Sequence, residues 1–169
     1  MSINIQQLQA AFCETMFAKG YAAGREFDQF GFGEKKMFME VVHPSGVLMI
    51  DCYWLNETTR YSAGQTVILN SLTSNTFEPL WVMNYGGYYP KNITPFLKKA
   101  LGAAYEANRF VGGRGPETFQ HPNYPGLIYT NTVEGENRFA LFRGREWIAK
   151  DGEDAPLGWH EYSGMLLMR

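Results

Sequence analysis

The sequence predicts an α+β domain of two helices and antiparallel sheet, and three observations favour this class. Aromatic residues are abundant, with 12 Phe, 10 Tyr and 4 Trp, and aromatic side chains favour half-buried strands. Strand-like segments follow one another through tight turns, which is typical of antiparallel pairing. A block starting at Pro79 recurs from Pro156, with proline, leucine, tyrosine and the last glycine conserved at an offset of 77 residues. The recurrence predicts two duplicated α-β4 halves, 1–108 and 109–169, in a single domain 1–169.

The first half begins with a helix and continues with four strands. Asn4 and Gln7 form a capping pattern at the start of a helix over 4–18. Its apolar stripe consists of Ile5, Leu8, Phe12 and Met16. A glycine-rich, aromatic loop over 20–34 follows. Turn residues then separate strands predicted over 36–42, 47–55, 64–72 and 79–86.

The strand over 47–55 is predicted to be central because both of its faces are mostly apolar. Asp51 is therefore a carboxylate in apolar surroundings. It must find hydrogen-bond partners or accept a raised pKa.

A second helix and a second run of strands then repeat this order. Thr94 and Pro95 predict a helix start, with threonine as the cap and proline at the first helical position, and the helix ends near Asn108. A long Gly/Pro-rich loop covers 109–126, and loops of this length are often functional. Three or four strands follow, over 127–133, 137–143, 145–150 and 157–164.

Composition excludes several classes of function. The net charge of −2 and the pI of about 5.9 argue against a sequence-independent nucleic-acid binder. Cys13 and Cys52 are too few for a disulfide scaffold. We find no signal peptide and no apolar run of transmembrane length, so a cytoplasmic protein without a membrane partner is expected.

Several ordered motifs resemble the DUF5680 family over roughly residues 15–167. They include Asp51-x-Tyr53, the strand from Pro79 to Gly87, Arg114-Gly115-Pro116-Glu117, Phe142-x-Gly144-x-Glu146-x-Ile148 and Tyr162-x-Gly164. The resemblance implies an uncharacterised bacterial domain that stands alone or follows a helix-turn-helix regulator, and thus a sensory or binding role without assigned catalytic residues. This chain differs from the family pattern in two ways. Its first 20 residues contain only one helix, and Trp159-His160-Glu161 replace the small residues that the family usually has near its end.

The leading hypothesis is a ligand-binding or sensory domain with an aromatic pocket for an unidentified small molecule. Under the repeat, Asn84 corresponds to Glu161, and both lie beside apolar or aromatic neighbours, as in a ligand pocket. The predicted lining residues are Asp51, Tyr53, Trp81, Asn84, Tyr85, Trp159 and Glu161. No catalytic residue, metal ligand or cofactor is predicted.

Two other classes of function remain open. One is a small-molecule hydrolase that uses Glu161 or His160, although adjacent strand residues point to opposite faces. The other is an interaction module that forms a homodimer through exposed aromatic side chains. Arg114 is a candidate partner of Glu117 or of an anionic ligand, while the glycines around it favour a structural loop.

Overall fold

The computed structural model describes residues 4–23, 28–31, 35–70, 78–135 and 139–168, with only the backbone described for 28–31 and 35–42. These residues form two helices, α1 (Ile5–Lys19) and α2 (Thr94–Glu106), and a 3₁₀ turn at Tyr21–Ala23. They also form β1 (Asp28–Gly31), β2 (Lys35–His43), β3 (Val47–Leu55), β4 (Tyr61–Asn70), β5 (Glu78–Tyr88), β6 (Thr118–Phe119), β7 (Leu127–Glu134), β8 (Leu141–Lys150) and β9 (Gly158–Leu166). The predicted α+β class is confirmed.

The described strands form one antiparallel sheet in the order β1-β2-β3-β4-β5-β9-β8-β7-β6. The two central strands, β5 and β9, are the ends of two successive meanders, and each meander runs from one edge of the sheet inward. In the central pair, Tyr85 lies directly opposite Tyr162. The tyrosines of the two recurring blocks are therefore neighbours in space.

Both helices cover the same side of this sheet. Phe12 of α1 and Leu97 of α2 are buried in one apolar core with Trp81 of β5. The Phe12 and Trp81 rings meet edge-on at 5.3 Å between centroids. Trp81 Nε1 donates to the Phe139 carbonyl at 3.0 Å, so the buried indole keeps a hydrogen bond.

Alternation along the strands gives the sheet two different faces. We call the helix-covered side, which carries Tyr85 and His160, the cavity face. The other side, which carries Asn84 and Glu161, is the open face. Asn84 and Glu161 are exposed, whereas His160 is buried.

The helix starts agree with the sequence in one case and differ in the other. Asn4 and Gln7 form the predicted capping box, with hydrogen bonds of 2.9 and 3.0 Å. The predicted cap at Thr94 is wrong, because Ile93 is the N-cap and makes no side-chain cap bond. The Thr94 hydroxyl donates instead to the Pro90 carbonyl at 3.2 Å.

Several predicted boundaries also change. The strands predicted over 137–143 and 145–150 belong to one strand, β8, while residues 136–138 lie outside the described residues. The strand predicted over 64–72 starts earlier, at Tyr61, and residues 71–77 are likewise not described. The two predicted loops, 20–34 and 109–126, contain β1 and β6. No described helix is long and apolar enough to cross a membrane.

Candidate functional site

A cavity lies on the cavity face, between the sheet and α2. The whole space between its walls, including the open mouth, has a volume of about 650 Å³. The inner part, which the centre of a water molecule can occupy, has a volume of about 50 Å³. One water needs about 10–15 Å³ on the latter measure, so the inner part has room for a few waters or one slim organic group. The walls are formed by Met16, Tyr21, Asp51, Tyr53, Leu55, Arg60, Ser62, Met83, Tyr85, Tyr89, Thr94, Leu97, Leu101, Tyr105, Arg114 and His160.

Asp51 is the buried carboxylate of this cavity. Thr66 Oγ1 and Tyr85 OH both donate to Asp51 Oδ1, at 2.8 and 2.9 Å. Burial raises the pKa of Asp51, and the two hydrogen bonds and the charge of Arg114 only partly offset this. Asp51 thus has both the partners and the raised pKa that the sequence offered as alternatives. No described residue donates to Oδ2.

A buried ion pair joins Arg114, in the loop before β6, to Glu146 on β8. Arg114 Nη2 donates to Glu146 Oε1, and Glu146 is completely shielded from solvent. Tyr129 OH donates to the other carboxylate oxygen, Oε2, at 2.5 Å. Burial lowers the pKa of Arg114, but the charge and hydrogen bond of Glu146, together with Tyr105 and Tyr129, outweigh burial and raise the pKa well above its ordinary value. The cavity wall therefore includes a guanidinium whose charge is already balanced.

His160 lies beside this ion pair, and its tautomer follows from its neighbours. Arg114 Nη2 is 3.2 Å from His160 Nδ1, and a guanidinium can only donate, so Nδ1 is the acceptor. The ring proton is therefore on Nε2, which donates to Ser62 Oγ at 3.1 Å. Burial and the positive charge of Arg114 hold the pKa of His160 well below its ordinary value. The ring is neutral at neutral pH.

Three donors on cavity-lining residues are buried and have no hydrogen-bond partner within the described ranges: Arg60 Nε, Tyr89 OH and Arg114 Nε. Tyr89 and Arg114 are only 5% and 6% exposed. Burial and the charge of Glu146 raise the pKa of Tyr89 well above its ordinary value, but the two side chains do not meet hydrogen-bond geometry. An unsatisfied buried donor costs about 1–3 kcal/mol, so such donors are typical of positions that a water or a ligand fills.

Glycines bring the loop that carries Arg114 close to the sheet. Gly112 and Gly113 have φ values of 62° and 72°, which glycine adopts without strain. A Cβ at Gly113 would lie 2.8 Å from Met83 Sδ. The structural role that the sequence favoured for these glycines agrees with this packing.

The predicted pair of Arg114 with Glu117 is wrong. Arg114 reaches Glu146 instead, and Glu117 binds Arg109 at 2.8 Å. The loop turns Arg114 inward to the sheet, where the buried carboxylate of Glu146 is the stronger partner.

The seven predicted ligand-binding residues fall into three groups. Three line the cavity: Asp51, Tyr53 and Tyr85. Three lie on the open face: Asn84, Trp159 and Glu161. Trp81 is fully buried in the apolar core. The seven therefore do not share one cavity.

The open-face residues have their own contacts. Gln65 Nε2 donates to Asn84 Oδ1 at 2.8 Å, and the guanidinium of Arg145 lies 5.4 Å from the Trp159 ring centroid. Asn84 and Glu161 do share a face, as the repeat predicted, and they border a shallow depression. That face lies opposite the cavity, because adjacent strand residues point to opposite faces. Asn84 and Glu161 each precede or follow a residue that lines the cavity.

Sequence reasoning missed part of the cavity, and one signal for it was present. The lining residues outside the predicted ligand-binding set include Arg60, Ser62, Tyr89, Thr94 and Tyr105. Gly87 pairs with Ser62 on one side and with His160 on the other, and the Ser62–His160 contact crosses β5 there. A glycine inside a strand indicates such a close approach. Among the described residues, no group of three His, Cys, Asp or Glu side chains has the arrangement of a metal site.

Comparison with known proteins identifies the family. Neither the curated proteins nor the solved structures contain a match to this chain. The model of a domain of unknown function, DUF5680, matches residues 57–165. That stretch contains Arg114, Glu146 and His160, while Asp51 precedes it. The chain therefore belongs to the DUF5680 family.

Proposed function

We propose that the chain is a small-molecule-binding domain whose ligand occupies the cavity between the sheet and α2. One observation supports this function: an aromatic-lined cavity contains buried polar groups whose hydrogen-bonding capacity no described residue uses. A largely apolar wall with a few convergent polar groups is typical of ligand sites. The relation to regulator-linked domains that the sequence resemblance implies favours a sensory use of this binding.

The polar groups are held in place without a ligand. Asp51, Tyr85 and His160 lie on β3, β5 and β9, and each is fixed by a hydrogen bond to another side chain. Side chains that strands and neighbouring hydrogen bonds fix in advance reduce the entropy cost of binding. This arrangement supports a binding site that is formed before the ligand arrives.

A hydrolase is the second candidate, because Ser62, His160 and Glu146 lie in the order of nucleophile, base and orienting carboxylate. His160 Nε2 is 3.1 Å from Ser62 Oγ, and Nδ1 is 3.5 Å from Glu146 Oε1. The hydrogen bonds oppose this function, since Arg114 donates to Nδ1 and Nε2 then carries a proton. Nε2 cannot accept the proton of Ser62 in that tautomer.

A covalent label separates the two candidates. We expect phenylmethanesulfonyl fluoride to leave Ser62 unmodified in intact-mass spectra. We also expect Ser62→Ala to hydrolyse p-nitrophenyl acetate at the wild-type rate. A modified Ser62 together with a lower rate in the variant would favour the hydrolase.

The binding function itself is tested by thermal unfolding in the presence of a metabolite library. Compounds that bind the folded state raise the unfolding midpoint by mass action. Tyr89→Phe removes one unpartnered hydroxyl from the cavity and should reduce the shift, whereas Glu161→Gln on the open face is the matched control. Shifts that disappear in Glu161→Gln but persist in Tyr89→Phe would place the ligand on the wrong face of the sheet for this proposal.

We also propose that the two halves are copies of one α-β4 unit. Val47 and Leu127 open β3 and β7, and Tyr61 and Leu141 open β4 and β8, both pairs at an offset of 80 residues. The sequence shows the same offset between Gly64 and Gly144. The test is to superpose β3–β5 on β7–β9 in an experimental structure, and failure of the Cα atoms to superpose would refute the duplication.

The homodimer stays a prediction. Large apolar side chains are exposed on several strands, including Trp54 at 46% and Leu141 at 65%. Sedimentation velocity over a range of concentrations would detect self-association, and Leu141→Lys should abolish it if this side chain lies in the contact.

A further inference from the structure

Asp51 has one carboxylate oxygen that no described residue uses. Thr66 and Tyr85 both donate to Oδ1, at 2.8 and 2.9 Å. Oδ2 has no donor among the described residues, yet it is not one of the unpartnered polar atoms that are sealed from solvent. Oδ2 therefore keeps accessible surface. Since Asp51 lines the cavity and is 6% exposed, this surface is where a molecule in the cavity can contact the carboxylate.

The charge of an ionised Asp51 has no partner in the cavity. The other charged side chains in the described lining are Arg60 and Arg114, and both are already paired. Arg60 Nη1 lies 2.8 Å from Glu57 Oε2, and Arg114 is bound to the buried Glu146. One negative charge thus remains uncompensated, and an anionic ligand would be repelled by it. Because an unbalanced buried charge is costly, a cation is the ligand that would balance this site.

Opposing effects act on the protonation of Asp51. Burial raises its pKa, whereas the hydrogen bonds from Thr66 and Tyr85 and the charge of Arg114 lower it. A positive charge beside Oδ2 would act in the same direction as these hydrogen bonds and would favour the carboxylate. A cationic ligand and an ionised Asp51 would therefore stabilise each other, which a neutral ligand cannot do.

Tyrosine rings lie next to this carboxylate. Tyr85 contacts Asp51 through its hydroxyl, and Tyr53 lies two residues further along β3 on the same face. The rings of Tyr53 and Tyr21 are perpendicular, at 89°, with 5.9 Å between their centroids. The Tyr21 ring already attracts one cation, since Lys98 Nζ lies 4.6 Å from its centroid. Perpendicular aromatic rings near a carboxylate suit an ammonium group, because the faces of such rings attract cations.

We propose that the cavity binds a protonated amine with an apolar body, whose ammonium group donates to Asp51 Oδ2 beside the tyrosine rings. This inference rests on the proposed binding function and specifies its ligand class. The inner volume of about 50 Å³ has room for an ammonium group. The cavity walls also include Met16, Leu55, Leu97 and Leu101, whose side chains suit an apolar body.

Three probes of similar shape test the charge of the ligand. Benzylamine, benzyl alcohol and benzoate are titrated separately into the ¹⁵N-labelled chain at neutral pH, and binding is followed by amide chemical shifts. Benzylamine is protonated at this pH and should bind at least about tenfold more tightly than benzyl alcohol, as a hydrogen bond to a charged group predicts. Benzoate should bind more weakly than either, because it would meet the carboxylate of Asp51.

Asp51→Asn tests the carboxylate without changing its shape. The amide oxygen must accept from Thr66 and Tyr85, so the –NH₂ group takes the place of Oδ2. This variant should lose the preference for benzylamine, whereas continued binding of benzyl alcohol would show that the cavity is intact. Glu161→Gln removes a carboxylate from the open face and is the matched control, which should keep the wild-type preference.

Tyr53→Leu tests the aromatic part of the site separately. It keeps Asp51 and an apolar wall but removes one ring. Benzylamine should therefore bind about threefold more weakly, as loss of one contact between a cation and a ring predicts, while benzyl alcohol should change less. An equal change for the two probes would show that the rings do not contact the ammonium group.

The outcomes separate this inference from the proposed function. Equal binding of benzylamine and benzyl alcohol, tighter binding of benzoate, or a preference for benzylamine that persists in Asp51→Asn would overturn the ligand class and leave a binding domain. If all three probes fail, the metabolite library decides. Amines whose stabilisation disappears in Asp51→Asn would support the class, and cavity ligands of another class would overturn it. Failure of the probes and of the library would overturn both proposals.

Discussion

Tyr85 and Tyr162 face each other across the two central strands, but their hydroxyl groups meet different surroundings. Tyr85 donates to the carboxylate of Asp51, two strands away in the first half. Tyr162 donates to the amide oxygen of Asn131, two strands away in the second half. Both acceptors are buried. The two halves thus place a tyrosine and a short polar side chain in the same relation.

A glycine lies beneath each tyrosine. A Cβ at Gly64 would lie 2.6 Å from the Tyr85 hydroxyl oxygen, and a Cβ at Gly144 would lie 2.3 Å from that of Tyr162. In each half the intervening strand therefore lacks a side chain where the tyrosine crosses it. This shared detail explains why glycine recurs at both positions.

The halves differ in what contacts the remaining polar atoms of the short side chain. Asn131 Nδ2 donates to two carbonyls of the Arg114 loop, Val111 at 3.0 Å and Gly115 at 2.8 Å, so its hydrogen bonds are filled. Asp51 accepts two bonds on one oxygen, and the residue lines the cavity. The same arrangement is a closed structural contact in one half and part of the cavity wall in the other.

The largest expected effect comes from the ion pair behind the cavity. Arg114→Met should lower the free energy of unfolding by about 3–5 kcal/mol, because it leaves Glu146 charged, buried and unpaired. Urea unfolding followed by tryptophan fluorescence measures the loss. Arg143→Met on the open face is the control and should change stability by less than about 0.5 kcal/mol. A loss below about 1 kcal/mol in Arg114→Met would mean that Glu146 has another partner.

Giving Asn131 and Asp51 each other's side chain should lower the free energy of unfolding in one variant only. Asn131→Asp loses both donors to the loop carbonyls, so it should cost about 3 kcal/mol at neutral pH. Lower pH should relieve the cost, since a protonated carboxyl regains one donor. Asp51→Asn keeps an oxygen for Thr66 and Tyr85 and should not destabilise the chain at neutral pH. Equal losses in both variants would show that the halves do not differ as described.

Asp51→Asn should also change how the stability of the chain depends on pH. The folded-state pKa of Asp51 is raised above its unfolded value, so its contribution to stability is fully present below about pH 3.8 and is lost as the pH rises through the folded pKa. Asp51→Asn should remove that downward slope. Unfolding free energies measured at several values from about pH 4 to pH 7 test this, and an unchanged slope would assign the titration to another group.

Removing the hydroxyl group of each tyrosine compares the two halves through smaller losses of unfolding free energy. Tyr162→Phe leaves the buried Asn131 Oδ1 without its donor and should cost about 1–2 kcal/mol. Tyr85→Phe should cost less, because Thr66 still donates to Asp51 and cavity water can replace the lost hydroxyl. A larger loss in Tyr85→Phe than in Tyr162→Phe would contradict a cavity that admits water.

Local patterns in the sequence predicted much of the fold. The strand over 47–55 and the capping box at Asn4 depend on neighbours in the chain, and both match the structure. The raised pKa of Asp51 was one of the two alternatives predicted for a carboxylate on a central apolar strand. Two strands were predicted on either side of Gly144, where the structure has one. There the missing side chain makes room for a tyrosine and does not mark a turn.

The candidate site was predicted only in part because it depends on contacts across the sheet. The sequence placed Asn84 and Glu161 on one face, but it did not show which face the helices cover. The pair of Arg114 with Glu146 joins a loop to a strand 32 residues away, which no local pattern indicates. Tyr89 follows the end of β5, where strand alternation no longer fixes the direction of a side chain.

His160 gives the smallest and most selective pH effect. Its folded-state pKa is depressed, so the stability it contributes is present above the unfolded value of about 6.5 and is lost as the pH falls below it. The loss cannot exceed about 1.4 kcal/mol per pH unit for one proton. His160→Gln should flatten the dependence just below pH 6.5, while His43→Gln, which removes a partly exposed imidazole paired with Glu14, serves as the control. If only the His43 variant flattens the profile, then His160 is not held neutral by Arg114, and the tautomer that argues against a hydrolase no longer follows.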